Sequence, residues 1–288
     1  MTKRAVVTAG TGGIGLETAA GLAAAGYEVT VVGRDPERGQ AAVARIGPPT
    51  RFLAADLMSL RAVRALAEHV AAQGELSVLV NNVGAMFDDR RVNPEGVEAT
   101  FALNHLSPYL LTQLLLPSLR AGAPSRVVNV TSGSVRIGAR RFDAAETPGG
   151  YYGLHAYGRA KLANLVHTLD LAERLRDTGI SVFAADPGGA VTDMTTGTMR
   201  SSQVVAPWLR PFWPLVLQAF RRTTGGTPPQ AARSSIIAAT DPSLEGRTGL
   251  VIGRDGLPVS PLRGMTAPNL VGAVQRLSEQ LAPLEGNE

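Results

Sequence analysis

A tyrosine and a lysine stand four residues apart in Tyr157-Gly-Arg-Ala-Lys161. On a helix, residues i and i+4 share a face, so a phenol and an ammonium at this spacing are neighbours. A cation beside a phenol favours the phenolate and pulls the tyrosine below its ordinary pKa of about 10. A tyrosine shifted in that way gives or takes a proton near neutral pH. The lysine stands out because the chain has 26 arginines and only two lysines. Arginine is a planar fork, whereas lysine is a compact charge that can sit under a sugar ring and beside a phenol. A chance surface pair is the plain alternative. A genome biased towards arginine would explain the general preference, but not the exception at 161.

A second group of residues suits an anion. Residues 4–8 read as a short apolar strand that runs into Thr8-Ala-Gly-Thr-Gly-Gly-Ile-Gly15 and then an apolar helical pattern. Glycines let the main chain turn tightly and approach a pyrophosphate, whose charge meets the amides and dipole of the helix N-terminus. Glycine is common in strand-helix turns, but this position in an alternating chain makes a dinucleotide the expectation. The second strand ends in Val31-Val32-Gly33-Arg34-Asp35-Pro36. An acid at the strand end would take the adenosine ribose hydroxyls, and an arginine there suits a 2′-phosphate. Gly33 followed by Arg34 therefore favours NADP(H) over NAD(H). Asp35 is the complication, but Asp before Pro at a helix start is an N-cap signature.

The elements that must position these residues are legible as an alternation. Apolar, β-branched runs at 4–8, 28–32, 51–55, 76–80, 125–131 and 180–185 read as strands. Helical patterns lie between them at 14–25, 36–46, 60–72, 95–119 and 154–178. Near-continuously apolar strands alternating with helices imply a parallel sheet covered on both faces. After Gly188 the alternation breaks into an irregular stretch, 189–227, then a helix near Pro228, a strand near 249–253 and a last helix from about Pro268. With no repeat and no linker, residues 1–288 read as one doubly wound α/β domain of about seven strands.

Composition narrows the classes. Hydrophobic residues are 44% and charged residues 18% of 288, which describes a globular chain with an ample core. There is no cysteine, which excludes disulfides, thiolate metal sites and cysteine nucleophiles. A first strand at residue 4 leaves no room for a signal peptide, so a cytoplasmic location is expected. The net charge is +4, and the arginines are scattered, with pairs at Arg90-Arg91, Arg140-Arg141 and Arg221-Arg222. Such scatter argues against a nucleic-acid surface. The four histidines show no metal spacing, and His69 and His167 read as helix-surface residues.

Taken together, these motifs resemble the short-chain dehydrogenase/reductase family over nearly the whole chain. Thr8, Gly13 and Gly15 match its glycine turn, with Ala9 where the first glycine is usual and Gly10 and Gly12 nearby to relieve the departure. Ala55-Asp56-Leu57 takes the place of an adenine-binding aspartate, and Asn81-Asn82-Val83-Gly84 resembles the Asn-Asn-Ala-Gly motif after strand four. Pro187-Gly188 and Thr192 resemble the loop that holds the nicotinamide carboxamide. The resemblance implies a Rossmann-type fold and a cofactor site of Gly10, Thr11, Gly12, Gly13, Ile14, Gly15, Arg34, Asp56, Leu57, Asn82, Val83, Gly84, Tyr157, Lys161, Pro187, Gly188 and Thr192. Asp56 and Asn82 are ordinarily turn residues or helix caps.

The same resemblance implies a catalytic tetrad of Asn104, Ser132, Tyr157 and Lys161, with Ser134 the alternative to Ser132. In it, Tyr157 donates a proton to a substrate carbonyl oxygen as a hydride arrives, and Ser132 stabilises the developing negative charge. Lys161 holds the ribose, and Asn104 positions a water. Asn104-His-Leu-Ser-Pro-Tyr109 and Lys161-Leu-Ala-Asn164 resemble the retinol-dehydrogenase-like branch. Protochlorophyllide reductases are set aside because their chemistry is associated with a cysteine.

Both tryptophans fall in the proline-broken apolar stretch from Val204 to Phe220. In this family that segment caps the substrate, so Trp208, Phe212, Trp213, Phe220, Met194, Met199, Tyr151 and Tyr152 imply a bulky hydrophobic carbonyl or alcohol substrate. Packing on the domain and peripheral membrane contact are the alternatives; the stretch is too short for a comfortable span. The expected activity is NADP(H)-dependent reduction of a hydrophobic ketone or aldehyde. An NAD-dependent dehydrogenase of a lipophilic alcohol and a non-catalytic dinucleotide sensor are the competing readings. A homo-oligomer is compatible with all three.

Overall fold

Valine and alanine fill the strands because both faces of the sheet are covered. The computed structural model describes residues 3–188, 205–212, 214, 215, 218 and 226–284. The strands are β1 (Arg4–Thr8), β2 (Glu28–Gly33), β3 (Arg51–Ala54), β4 (Val78–Asn81), β5 (Ser125–Val130), β6 (Ile180–Ala185), β7 (Leu250–Ile252) and β8 (Pro258–Val259). They form one sheet in the order β3-β2-β1-β4-β5-β6-β7-β8. Successive side chains point to opposite faces. Val6, Leu79, Val127 and Val182 join one buried cluster, and Val7, Val80, Val128 and Phe183 join the other. Burying each such side chain contributes roughly 1.5–3 kcal/mol, which makes the strands the least negotiable part of the chain.

The helices are α1 (Gly13–Ala24), α2 (Pro36–Ile46), α3 (Leu60–Ala71), α5 (Gly153–Arg174), α6 (Pro228–Thr240) and α7 (Pro268–Leu281). Between β4 and β5, α4 opens with one turn, Ala99–Phe101, widens into a π-turn over Ala102–Leu106, and continues over Ser107–Ala121. Side chains of α1, α2 and α6 pack on one face of the sheet, and those of α3, α4, α5 and α7 on the other. Among the described residues no helix is long and apolar enough to cross a membrane.

Two details depart from the expected pattern. Among the described residues the sheet has eight strands where about seven were expected, and the last is antiparallel to β7, with Val251 opposite Val259. Asp255-Gly256 turns the chain back, Gly256 at φ 85° and the Asp255 carboxylate accepting from the Leu257 amide. A strand of two residues carries no periodic signal. The fourth helix begins at Ala99 rather than residue 95, because Gly96 sits at φ 81° and Asn93 accepts the Glu95 and Val97 amides. Glu98 then caps the helix, accepting from the Thr100 and Phe101 amides.

His167 is buried, against expectation, because α7 covers the outer side of α5. Its ring stands edge-on to Tyr109, 5.0 Å between centroids, and 6.2 Å from His105. The His105 Nε2 meets the Ser278 hydroxyl of α7 at 2.7 Å. Burial drives His167 down to about 3, with Arg174 adding to the effect. Burial also drives His105 well below its ordinary value, helped by His167 and Arg159. Both rings fold neutral, so the unfolded chain binds protons that the native one refuses. Their stabilising effect is complete above the unfolded value of about 6.5 and is lost as pH falls below it. Denaturant unfolding at stepped pH below 6.5 is expected to lose about 1.4 kcal/mol per pH unit for each histidine, and His167→Gln to remove one such increment.

Candidate active site

Strand order reverses between β1 and β4, and in such sheets ligands bind beyond the carboxyl ends of the strands at that switch point. The glycine turn emerges there from β1. Gly12 caps α1 without any side-chain hydrogen bond, so the first amides of the helix are left for an anion. A Cβ on Gly15 would lie 2.2 Å from the Ala9 carbonyl oxygen and 2.4 Å from the Asn82 amide nitrogen. Only glycine lets the turn and the start of α1 approach so closely. Ala9 itself takes φ 49°, so the missing glycine is not relieved by Gly10 or Gly12 but tolerated in place. A non-glycine residue in that region costs roughly 1–2 kcal/mol.

Asn82 faces this turn rather than open solvent. Its side-chain amide donates to the Thr8 and Ala9 carbonyls at 3.2 and 3.3 Å, and the Asn82 and Val83 backbone amides donate to the Thr8 hydroxyl. Asn82 therefore sews the ends of β1 and β4 together. At the end of β2, Thr11 packs so tightly on Gly33 that a Cβ there would meet its methyl at 2.7 Å. Asp35 caps α2, accepting from Glu37 and Arg38. Arg34 is exposed, and the guanidinium of Arg38 comes within 2.7 Å of where a Gly12 Cβ would stand. Arg38, in the first turn of α2, was missed in the sequence, where nothing relates it to the glycine turn. Asp56 is exposed after β3 and accepts from the Met58 amide, while Leu57 is buried.

The remaining residues converge at the ends of β4, β5 and β6. Ser132 accepts from both the amide and the hydroxyl of Ser134, so the two serines are coupled at the end of β5. The turn after Ser132 is pressed onto α5 at Gly158, where a Cβ would lie 2.6 Å from the Ser134 carbonyl oxygen. One turn of α5 then carries Tyr157 and Lys161, with the Lys161 Nζ 5.9 Å from the phenol ring centroid. That ammonium is buried and donates to the Val130 carbonyl at 2.9 Å and more weakly to the Val83 carbonyl at 3.5 Å. Asn104 lies in the π-turn of α4, its amide bonded to the Ala85 and Thr100 carbonyls, both at 2.8 Å. Gly84 separates the two: its Cβ would lie 2.9 Å from the Asn104 Oδ1 and 3.2 Å from the Lys161 Nζ.

The expected electrostatics are reversed. Burial lifts the Tyr157 phenol to about 12; the Ser132 hydrogen bond pulls it down and Asp186 pushes it further up. Burial also takes Lys161 down to about 8. The ammonium faces the main-chain carbonyls rather than the phenolic oxygen, and desolvation of the phenol outweighs any help the cation gives. Asp186, overlooked in the sequence, precedes Pro187-Gly188 and accepts from the Gly188 amide at 3.0 Å. Gly188 adopts φ 64° against the side chain of Arg254.

Thr192, Met194, Met199, Trp213, Phe220 and the side chain of Trp208 lie outside the described residues. Of the aromatic stretch, Phe212 and Leu215 are exposed. The Tyr151 hydroxyl is turned inward to Thr100 and the Phe87 carbonyl, so it braces the loop rather than presenting a polar group to a ligand.

Comparison with known proteins agrees with this geometry. A family model described as short chain dehydrogenase matches residues 3–203. Retinol dehydrogenase 12 of Mus musculus is 36% identical over 253 residues, 86% of this chain and 76% of that protein. Dehydrogenase/reductase SDR family member 13 of Bos taurus is 35% identical, covering 86% of this chain and 64% of its own. Among solved structures, an uncharacterised Mycobacterium Paratuberculosis protein superposes with a TM-score of 0.75 at 28% identity, over 97% of this chain and 93% of that one. An active-site complex of Pseudomonas aeruginosa RhlG with NADP gives a TM-score of 0.68 at 29% identity, over 88% and 95% of the two chains. A glycine turn open to an anion, a serine, tyrosine and lysine gathered beside it, and these likenesses make the chain a member of the short-chain dehydrogenase/reductase family, in its retinol-dehydrogenase-like branch, whose enzymes use nicotinamide dinucleotides.

Proposed function

We propose that the protein is an NADPH-dependent reductase of bulky hydrophobic ketones or aldehydes, acting in the cytoplasm. The observation that carries the reading is the gathering of Ser132, Tyr157 and Lys161 beside a glycine turn open to an anion, and burial, which raises the phenol, suits Tyr157 to the part of proton donor. Carbonyl reduction needs a donor, and alcohol oxidation needs a base. The names of the relatives, retinol dehydrogenases among them, support a lipophilic substrate. Phe212 and Leu215 are exposed apolar side chains in the stretch whose composition suggests contact with such a molecule.

The glycine turn and the uncapped start of α1 fit a pyrophosphate. Gly33, crowded by Thr11, leaves no room for a ribose-binding acid at the end of β2, and Arg34 with Arg38 suits a 2′-phosphate. Bound NADPH supplies the hydride. In this reading Tyr157 gives its phenolic proton to the substrate oxygen, which Ser132 also hydrogen-bonds. Lys161 binds the ribose hydroxyls and Asn104 positions a water on the proton path. Asn82 holds the glycine turn in register, and Asp56, Leu57, Val83, Gly84, Pro187, Gly188 and Thr192 line the cofactor.

Absorbance of reduced nicotinamide, followed with a panel of bulky ketones, tests the activity. Tyr157→Phe is expected to lower kcat by about 10²–10⁴ with the cofactor Kd unchanged; turnover that survives the change would remove Tyr157 as the acid. Reversing the charges with Arg34→Asp and Arg38→Asp should weaken NADPH binding and spare NADH, and an unchanged preference overturns the NADP reading. Lys161 must stay charged to hold the ribose and the developing charge. With its value near 8, kcat/KM for reduction should be flat below pH 8 and fall as pH rises through it. A profile flat to pH 10 contradicts that role.

A further inference from the structure

The Lys161-Leu-Ala-Asn164 motif leaves one residue without a task. Asn164 lies three residues beyond Lys161 on the same face of α5, and its side chain is buried. Its Nδ2 donates to the main-chain carbonyl of Asn104 at 3.2 Å. That carbonyl needs a donor for a reason visible in the sequence. In an α-helix it would accept the amide of residue 108, and Pro108 has none. The proline removes that donor, and the Asn164 side chain supplies one.

The main chain of Asn164 is engaged as well. Its main-chain carbonyl accepts the Thr168 hydroxyl at 2.7 Å, and that hydroxyl accepts the Asn129 side-chain amide at 2.9 Å. The Asn129 Oδ1 accepts from the Asn81 Nδ2 at 2.8 Å, and the same nitrogen reaches the Thr112 hydroxyl of α4 at 2.9 Å. Asn81 and Asn129 are register partners in β4 and β5. The circuit leaves α4 at Thr112, crosses two strands, runs up α5 and returns to α4 at Asn104. Every side chain in it is buried.

Three side-chain oxygens of the circuit, the Oδ1 atoms of Asn81, Asn104 and Asn164, are buried with no protein partner. The Asn104 Oδ1 and the Lys161 Nζ lie 2.9 and 3.2 Å from one point beside Gly84, so they are no more than about 6 Å apart, a gap that one water bridges. Unsatisfied acceptors in a buried polar network are costly, and water is the ligand that satisfies them.

We propose that Asn164 is a positioning residue of the proton path: by donating to the Asn104 carbonyl that Pro108 leaves without its α-helical donor, it holds in place the Asn104 side chain, whose Oδ1 seats a water on the Lys161 ammonium. This deepens the reading of Lys161 given above and rests on it. Among the described residues, the ring of Tyr157 on the same helix lies beside this ammonium, its centroid 5.9 Å from the Nζ, and Asp186 acts on that phenol. The water solvates the cation.

Lysine occurs only at positions 3 and 161, so protein made with isotope-labelled lysine gives two resonances to follow by NMR. In the free protein, Asn164→Leu strips polar solvation from the ammonium and is expected to lower the Lys161 titration midpoint by about one pH unit, a tenfold loss of proton affinity. In ketone reduction the alkaline limb should move down with it, while KM for NADPH holds. Asn164→Ser, too short to reach the Asn104 carbonyl but able to keep a water, should give a smaller shift in the same direction and serves if the leucine variant does not fold. A midpoint and an alkaline limb that match wild type in a folded variant overturn the proposal. A shifted midpoint in a protein that reduces no ketone refutes the proposed activity and leaves the role of Asn164 standing.

Discussion

The ammonium of Lys161 is taken out of water and lodged between the ends of β4 and β5, where the Val130 and Val83 carbonyls receive it. A buried charge with main-chain partners tolerates little displacement, because the carbonyls are fixed by the sheet. Together with the buried apolar side chains of α5, the position of this side chain holds the azimuth of the helix. Tyr157, one turn earlier, meets Ser132, and Gly158 lets the serine turn come down onto the helix. The desolvation that pushes Lys161 down to about 8 is the same burial that lifts Tyr157 to about 12. One constraint sets both placement and protonation.

That inversion changes what the motif alone suggests. A phenol beside an exposed ammonium is pulled towards the phenolate, whereas a buried phenol, with Asp186 raising it further and Ser132 opposing, is held in its protonated form. The distinction comes from desolvation, which a sequence motif does not report. Spacing shows that two groups share a helix face. It does not show whether that face is wet.

The legible and illegible parts divide along the same line. β1, β2, β5 and β6 were readable because long β-branched runs can be buried only as central strands, and the glycine turn because its tight approach to Asn82 admits no side chain. The start of α4 was not, since Glu98 caps it and Asn93 imitates a turn that no periodicity marks. His167 was misplaced because its burial depends on α7, which arrives from residues more than a hundred positions away. Arg38, Asp186 and Asn164 escaped for a related reason: each acquires meaning only from what stands opposite it, respectively Gly12, Tyr157 and the carbonyl above Pro108.

A difference-absorbance titration of the phenol, wild type against Tyr157→Phe in the free protein, tests this most directly. The account predicts ionisation of Tyr157 well above the ordinary tyrosine value of about 10. A phenol that ionises at or below that value would mean the ammonium outweighs burial after all, and the protein would be built to take protons rather than to give them.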